Sequence, residues 1–214
     1  MIAPELTSVE HVGAKWTNAQ FFEAFAAPGR VGLVGLASWV DRRIRKSQRH
    51  LDNDGTWSQW SHAFLLEGKR IDGAHWLLES DLDLHSHFVR LGVQENRADK
   101  YLDEGSAPTM AILDFGLDTA QTQAVLAEGL NLLGTGTRYS IPKAIGTYVA
   151  MRKAQLGRRF GRQDERSIYC SAFVHHCFAA AGVDLIPGVH QDNVLPELLW
   201  SSPVPHRAWV VSRV

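Results

Sequence analysis

The sequence has little of several features that would assign it to a specialised class of protein. Its 214 residues include only two cysteines, and the formal net charge is −1. Two cysteines are too few for a disulfide-dense scaffold, and a charge so close to zero gives no global field toward nucleic acid or an anionic membrane. No apolar run is long enough to cross a bilayer. We therefore expect a globular domain with no nucleic-acid partner and no integral membrane segment.

The first residues also lack the basic segment and the apolar segment that together make a Sec signal. We expect synthesis in a cytoplasm without Sec export. If the protein acts outside the cell, a different route must carry it there.

The composition that is present is typical of a folded domain, with 45% hydrophobic and 21% charged residues. Apolar runs bounded by turn residues predict strands, and helical spacing with caps predicts helices. Since neighbouring strands are joined by short turns, we expect an antiparallel sheet and the α+β class. The predicted strands are 31–36, 60–66, 74–80, 109–115 and 208–211, with another within 84–95, and the predicted helices are 18–27 (capped by Asn18, with Phe21, Phe22 and Phe25 inward), 39–46, 119–133 (capped by Asp118, with Leu126, Leu130 and Leu133 inward) and 142–156.

The segment from Ser167 to Phe178 is the most informative stretch. Apolar residues recur on one helical face, at Cys170, Val174, Cys177 and Phe178. We place the helix start at Cys170, where the unpaired N–H groups and the helix dipole would favour a thiolate. Cys170 is then a candidate nucleophile. The alternative is a buried core cysteine with no chemical role.

The two cysteines are seven residues apart on this predicted helix, which separates them by roughly 10 Å at about 1.5 Å per residue. A disulfide requires Cα atoms within about 7 Å. We expect two free thiols.

A cysteine nucleophile needs a base and a group that orients the base. If the turn between the strands at 60–66 and 74–80 is centred between Arg70 and Ile71, then His62 lies opposite Glu79 and Leu66 lies opposite His75. Glu79 would orient His62 by hydrogen bonding one ring nitrogen. Asp81 is the second candidate for this role and His75 is a weaker one. The alternative is a half-buried strand histidine beside a rim carboxylate.

Four short elements of the sequence form a recognisable set: Ser61-His62, Gly136-Thr137-Arg138-Tyr139, Tyr169-Cys170-Ser171 and the segment Val194 to Ser201. Together they resemble the circularly permuted branch of the NlpC-type, papain-like cysteine hydrolases, in which the histidine precedes the cysteine. The resemblance covers roughly residues 30–203, and we treat 1–214 as one domain. Two departures are the strand 31–36, which lacks the Gly-Asp pair expected near its start, and the unfamiliar stretch 83–108.

This resemblance implies a small antiparallel sheet packed against the cysteine helix, with Cys170 as nucleophile, His62 as base and Glu79 as the orienting group. Attack on an amide or ester carbonyl would pass through a thioester, with the backbone N–H of Cys170 contributing to an oxyanion hole. We expect no cofactor and no metal. By family resemblance the expected substrate is bacterial cell-wall peptide. An exported toxin with a secretion machine and an immunity protein as partners would fit the missing signal.

Two other functions stay open. Permuted relatives include lipid acyltransferases and thioesterases, for which Trp57, Trp60, Trp76 and Phe64 would line an apolar slot if they are not simply core. The third function is a catalytically silent binding module.

Two clusters also have alternative interpretations. His175, His176 and Cys177 do not indicate a metal, because adjacent histidines point about 100° apart on a helix. The basic residues before Cys170 are either a solvated surface or a contact for an anionic substrate; they are Arg152, Lys153, Arg158, Arg159, Arg162 and Arg166.

Overall fold

The computed structural model describes residues 7–48, 57–83, 90–135, 165–190 and 193–213. These residues form a seven-stranded sheet covered by helices on both faces. The strands are β1 (Ser8–His11), β2 (Val31–Gly35), β3 (His62–Lys69), β4 (His75–Asp83), β5 (Arg90–Arg97), β6 (Thr109–Asp114) and β7 (Arg207–Ser212). The helices are α1 (Asn18–Phe25), α2 (Trp39–Ser47), α3 (Thr119–Gly134), α4 (Glu165–Ala180) and α5 (Pro196–Trp200), with a 3₁₀ helix at Ala98–Tyr101.

The strand order is β1-β7-β6-β2-β3-β4-β5. All neighbouring pairs are antiparallel except β1 and β7, which run parallel. The predicted α+β class and its largely antiparallel sheet are confirmed. β1, the 3₁₀ helix and α5 were not predicted, and the predicted helix 142–156 lies outside the described residues.

Capping explains where two helices begin. Asp118 caps α3 as predicted, and its side chain accepts from the backbone N–H of Gln121 at 2.7 Å. For α1 the predicted helix and its inward phenylalanines are confirmed, but the predicted cap was wrong, because Thr17 is the cap and forms a capping box with Gln20. Asn18 is instead fully buried, and its Nδ2 donates to the carbonyls of Tyr101 and Ala107 at 2.8 and 3.0 Å.

The sheet divides the apolar residues into two cores. We call its two sides the α4 face and the α1 face, after the helices that cover them. Successive strand residues point to opposite faces, so the two cores take alternate positions of the same strands. The α4 face includes Val31, Leu33, Ala63, Leu65, Leu78, Cys170, Phe173, Val174, Cys177 and Phe178. The α1 face includes Phe21, Phe22, Val34, Phe64, Leu66, Leu77 and Tyr101.

The inward side of α3 is partly as predicted, because Leu126 and Leu133 pack against the core of the α4 face. Leu130 is 44% exposed, whereas Val125 and Gly129 are buried. Gly129 lies so close to Leu78 that an added Cβ would come within 2.8 Å of its Cδ1. An alanine here would have to displace the Leu78 side chain, so glycine allows α3 to pack closely against β4.

Candidate active site

The β3–β4 hairpin has a different register from the predicted one. Leu66 pairs with Leu77, so the predicted pairing of Leu66 with His75 was wrong by two residues. The turn is centred later than predicted, at Ile71–Gly73, and Gly73 adopts a φ of +78°. A bulge between Leu66 and Gly68 then offsets one residue of this shift. The net shift in register is two residues, which is even, so residues predicted to share one face of the sheet still share it.

Because the shift is even, His62 and Glu79 still meet. Their contact joins His62 Nε2 to Glu79 Oε2 at 2.8 Å, and confirms the predicted hydrogen bond. Continuing the observed register puts His62 across from Asp81, so Glu79 contacts it diagonally. The side chain of Asp81 lies outside the described part of the structure. His75 lies near the other end of the hairpin, where its Nε2 is 3.2 Å from Glu23.

Glu79 accepts hydrogen bonds from three further side chains. Tyr101 donates its hydroxyl to Oε2 at 2.6 Å, while Asn96 Nδ2 and Lys100 Nζ donate to Oε1 at 2.7 and 2.5 Å. Burial alone would raise the pKa of Glu79, but the hydrogen bond and charge of His62, together with Lys100, outweigh it. The pKa is held well below its usual range. Glu79 is therefore a carboxylate at neutral pH despite an exposed fraction of 0%.

This arrangement fixes one edge of the His62 imidazole. A carboxylate accepts hydrogen bonds and cannot donate them, so Nε2 carries the proton in the contact with Glu79. The other nitrogen, Nδ1, is then the one through which the ring would exchange a proton. The ring itself lies 6.3 Å from that of Tyr101 and 6.5 Å from that of Phe64, centroid to centroid.

Cys170 differs from its prediction in position along the helix. α4 begins at Glu165, so Cys170 is its sixth residue rather than its first. Only the first four N–H groups of a helix lack an intrahelical partner. The Cys170 N–H therefore does not supply an oxyanion hole in this helix, and the expected dipole effect of the first turn does not apply.

Cys170 and His62 belong to different cores. Cys170 is fully buried on the α4 face, with Ala63 and Leu65, whereas the His62 ring lies with Phe64 and Tyr101 on the α1 face. The cores approach each other where β3 begins, because Trp60 packs on the α4 face only two residues before His62. The predicted meeting of sulfur and imidazole stays a prediction.

The surroundings of the second thiol disfavour its thiolate form. Cys177 is fully buried, and burial together with the charge of Glu128 raises its pKa to about 12. Neither cysteine forms a disulfide. Cys177 packs in the core of the α4 face, close to Gly129. A Cβ added to Gly129 would lie 3.7 Å from its Sγ.

Other predicted features are dispersed. Trp60 and Phe64 pack in different cores and Trp57 is 50% exposed, so they do not form a common slot. His176 contacts Glu128 at 3.0 Å. Over the described ranges, no three His, Cys, Asp or Glu residues are grouped as metal ligands. The basic cluster before Cys170, and Gly136 to Tyr139, lie outside the described ranges.

A cavity of about 160 Å³ lies near the turn end of β4, away from the start of β3. Its lining includes Phe22, Glu23 and His75, and neither His62 nor Cys170. Among the described helices, none combines the length and apolar character needed to cross a membrane.

In the comparison with known proteins, the chain is similar in fold to a solved structure. No family model matches the chain, and no curated protein matches it. Among solved structures, the chain is similar to the metalloprotein YiiX from Escherichia coli O157:H7, designated DUF1105, with a TM-score of 0.51 and 13% sequence identity. The match covers 88% of this chain and 98% of that one. At this identity the similarity extends to the mixed α+β fold and no further.

Proposed function

We propose that the protein is a cysteine hydrolase with Cys170 as nucleophile, His62 as base and Glu79 as the orienting group. The observation that supports this most is the buried hydrogen bond between His62 and Glu79. A carboxylate that holds one nitrogen of an imidazole is the second half of a nucleophile–base–orienter arrangement. Three additional donors keep this carboxylate ionised and fixed.

In the proposed reaction, His62 Nδ1 takes the Cys170 proton and the thiolate sulfur attacks the carbonyl carbon of the substrate. The imidazolium then returns its proton to the leaving amine as the C–N bond breaks and a thioester remains. Water attacks the thioester with His62 again as base, releasing the carboxylic acid and the thiol. Glu79 stabilises the imidazolium in both steps without becoming protonated.

The proposal requires the sulfur and the imidazole to meet where β3 begins. Two features support this place. His62 is the first residue of β3, and Trp60 brings the chain just before it into the core that contains Cys170. α4 itself packs across β3 and β4, the two strands that carry His62 and Glu79.

The finer fold and the substrate rest on the motifs around His62 and Cys170. We assign the chain to the permuted NlpC-type, papain-like fold, and the scissile bond to an amide of bacterial cell-wall peptide. A hydrolase of this kind would act as an exported antibacterial effector, with an immunity protein to protect its producer.

The direct test is digestion of purified peptidoglycan by the full chain, with released fragments identified by mass spectrometry. Cys170→Ala should reduce the rate at least about a thousandfold, because the nucleophile is lost. Cys177→Ala, the matched control on the same helix, should keep full activity. A Cys170→Ala variant as active as the wild type would exclude the mechanism. Cleavage of acyl esters but not of peptidoglycan would assign the same site to thioester or acyl-transfer chemistry instead.

A catalytically silent binding module is the second candidate function. The complete burial of Cys170 in an apolar core favours it, since most cysteines in such surroundings only pack. A thiol-directed probe at neutral pH separates the two functions. Labelling of Cys170 faster than free cysteine supports the hydrolase, and labelling no faster supports the silent module.

A further inference from the structure

We propose that the outer side of α2, together with Trp57, docks the protein on an anionic lipid surface. The helix has four basic residues and one acidic residue, a net charge of +3 in nine residues. The whole chain has a formal charge of −1, so this positive charge is concentrated locally. Docking through this surface is independent of the hydrolase chemistry.

The helix presents one side to the protein and the other to solvent. Ile44 and Gln48 are buried and lie one turn apart. Trp39, Arg43 and Lys46 recur at the spacing of the opposite side, and all three are exposed. The burial of Ile44 and Gln48 holds α2 in place, so its outer residues are presented in a fixed arrangement.

Two exposed tryptophans accompany the charges. Trp39 is 63% exposed and Trp57 is 50% exposed. Arg43 lies 5.7 Å from the Trp39 ring centroid, and Lys46 Nζ lies 5.1 Å from that of Trp57. Each indole is therefore next to a cation, and large exposed apolar groups of this kind mark interaction sites.

A lipid headgroup layer fits this combination. Tryptophan prefers the boundary between headgroups and acyl chains, and basic side chains bind the anionic headgroups. Single-stranded nucleic acid also binds aromatic and basic residues, but it needs a groove that tracks its backbone and open ring faces for stacking. Here a cation already occupies one face of each indole, so the lipid surface is favoured.

The α2 region is hydrogen-bonded to the residues just before His62. Gln48 Nε2 donates to the Trp60 carbonyl at 2.8 Å, and the Leu36 N–H donates to Ser61 Oγ at 3.0 Å. These bonds join both ends of the α2 region to the two residues that precede His62. A membrane bound to α2 would therefore lie close to the start of β3.

The test is sedimentation of the full chain with two kinds of vesicle, phosphatidylcholine alone and phosphatidylcholine mixed equally with phosphatidylglycerol. Binding should occur with the mixed vesicles only and weaken as salt is raised, because screening shortens the reach of surface charges. Arg42→Gln/Arg43→Gln should lower the partition coefficient roughly thirtyfold. Trp39→Ala/Trp57→Ala should also lower it.

The matched control is Lys69→Gln/Arg70→Gln, which removes two exposed charges at the other end of β3 and should change binding less than about twofold. All substituted residues are on the surface, and circular dichroism would verify that each variant is folded. Absence of binding to mixed vesicles, or equal binding by the α2 variant and the control, would overturn the proposal. Tighter binding to a single-stranded oligonucleotide than to vesicles would also overturn it.

Discussion

Glu79 and Leu78 are neighbours in β4, yet they enter opposite kinds of surroundings. Leu78 points to the α4 face, where the neighbouring groups are apolar side chains and the thiol of Cys177. Glu79 points to the α1 face, where a histidine, a lysine, a tyrosine and an asparagine converge on its two oxygens. Both residues have an exposed fraction of 0%.

Equally buried residues therefore stabilise the protein in different ways on the two faces of the sheet. On the α4 face, stability depends on filled volume, which tolerates replacement by a side chain of similar size. Around Glu79 it depends on the pairing of a buried carboxylate with several donors, and removal of the carboxylate takes one hydrogen bond or ion pair from each of them. Only the arrangement around Glu79 orients a titratable ring, the imidazole of His62.

The largest expected loss of stability comes from removing the Glu79 carboxylate. Glu79→Leu should lower the free energy of unfolding by about 3–5 kcal/mol, because Lys100 and the donors around it lose their shared acceptor. Leu78→Met, the adjacent control, conserves volume and should cost less than about 1.5 kcal/mol. Urea denaturation of both variants measures the difference. Equal losses would contradict the distinction between the two faces.

The next largest loss of stability concerns apolar packing on the α1 face, at the Phe64 ring that stacks on Tyr101. A Cβ on Gly32 would fall 2.0 Å from Phe64 Cε2, so Gly32→Ala must displace a buried ring. We expect a loss of about 1–3 kcal/mol in thermal or urea unfolding.

Gly134→Ala is the matched control for this substitution. Nothing lies within 4 Å of the added Cβ, and the site is the last residue of α3. It should be neutral or stabilise the protein by up to about 1 kcal/mol. A Gly32→Ala protein as stable as the Gly134→Ala protein would show that Phe64 is not fixed.

A smaller and pH-dependent effect should report the charge of Glu79. Its pKa is lower in the folded state than the unfolded value of about 4.3, so the unfolded chain binds more protons in acid. The stabilising contribution is complete above about pH 4.3 and is lost as the pH falls toward the folded pKa. Urea midpoints of the wild type should therefore fall more steeply in acid than those of Glu79→Gln. Parallel pH profiles would contradict this.

The smallest expected effect is on thiol labelling, when Cys177 is removed. With its pKa raised to about 12, this thiol should not react with a thiol probe at neutral pH. The Cys177→Ala protein should therefore be labelled at the same rate as the wild type, as measured by intact-mass spectrometry. A slower rate would show that the α4 core opens to solvent.

The sequence predicts the His62–Glu79 contact because strand side chains alternate with a period of two, and an even error in register preserves the face. The register itself depends on the position of a three-residue turn and on one bulge, neither of which the apolar pattern specifies. Tyr101, Lys100 and Asn96 were missed for a related reason. They come from a 3₁₀ helix and from β5, and only the folded sheet brings them to Glu79.

Three local errors in the sequence-based assignment have different causes. The capping box Thr17-Asn18-Ala19-Gln20 was present in the sequence, so the α1 cap could have been assigned correctly. The error at Leu130 could not have been avoided, because apolar residues occur around much of α3 and the close approach of Gly129 to Leu78 is visible only in the fold. The start of α4 was misplaced because its residues before Cys170 have no apolar stripe that would extend the helix.

The bulge beside Gly68 separates the turn of the hairpin from its functional end. Leu66 and Gly68 already pair with the consecutive residues Leu77 and Trp76, so the residue between them, Glu67, is surplus to the ladder. A natural variant lacking it could keep every pairing on either side. The hairpin can thus lose this one residue during evolution while the imidazole and its carboxylate keep their relative positions.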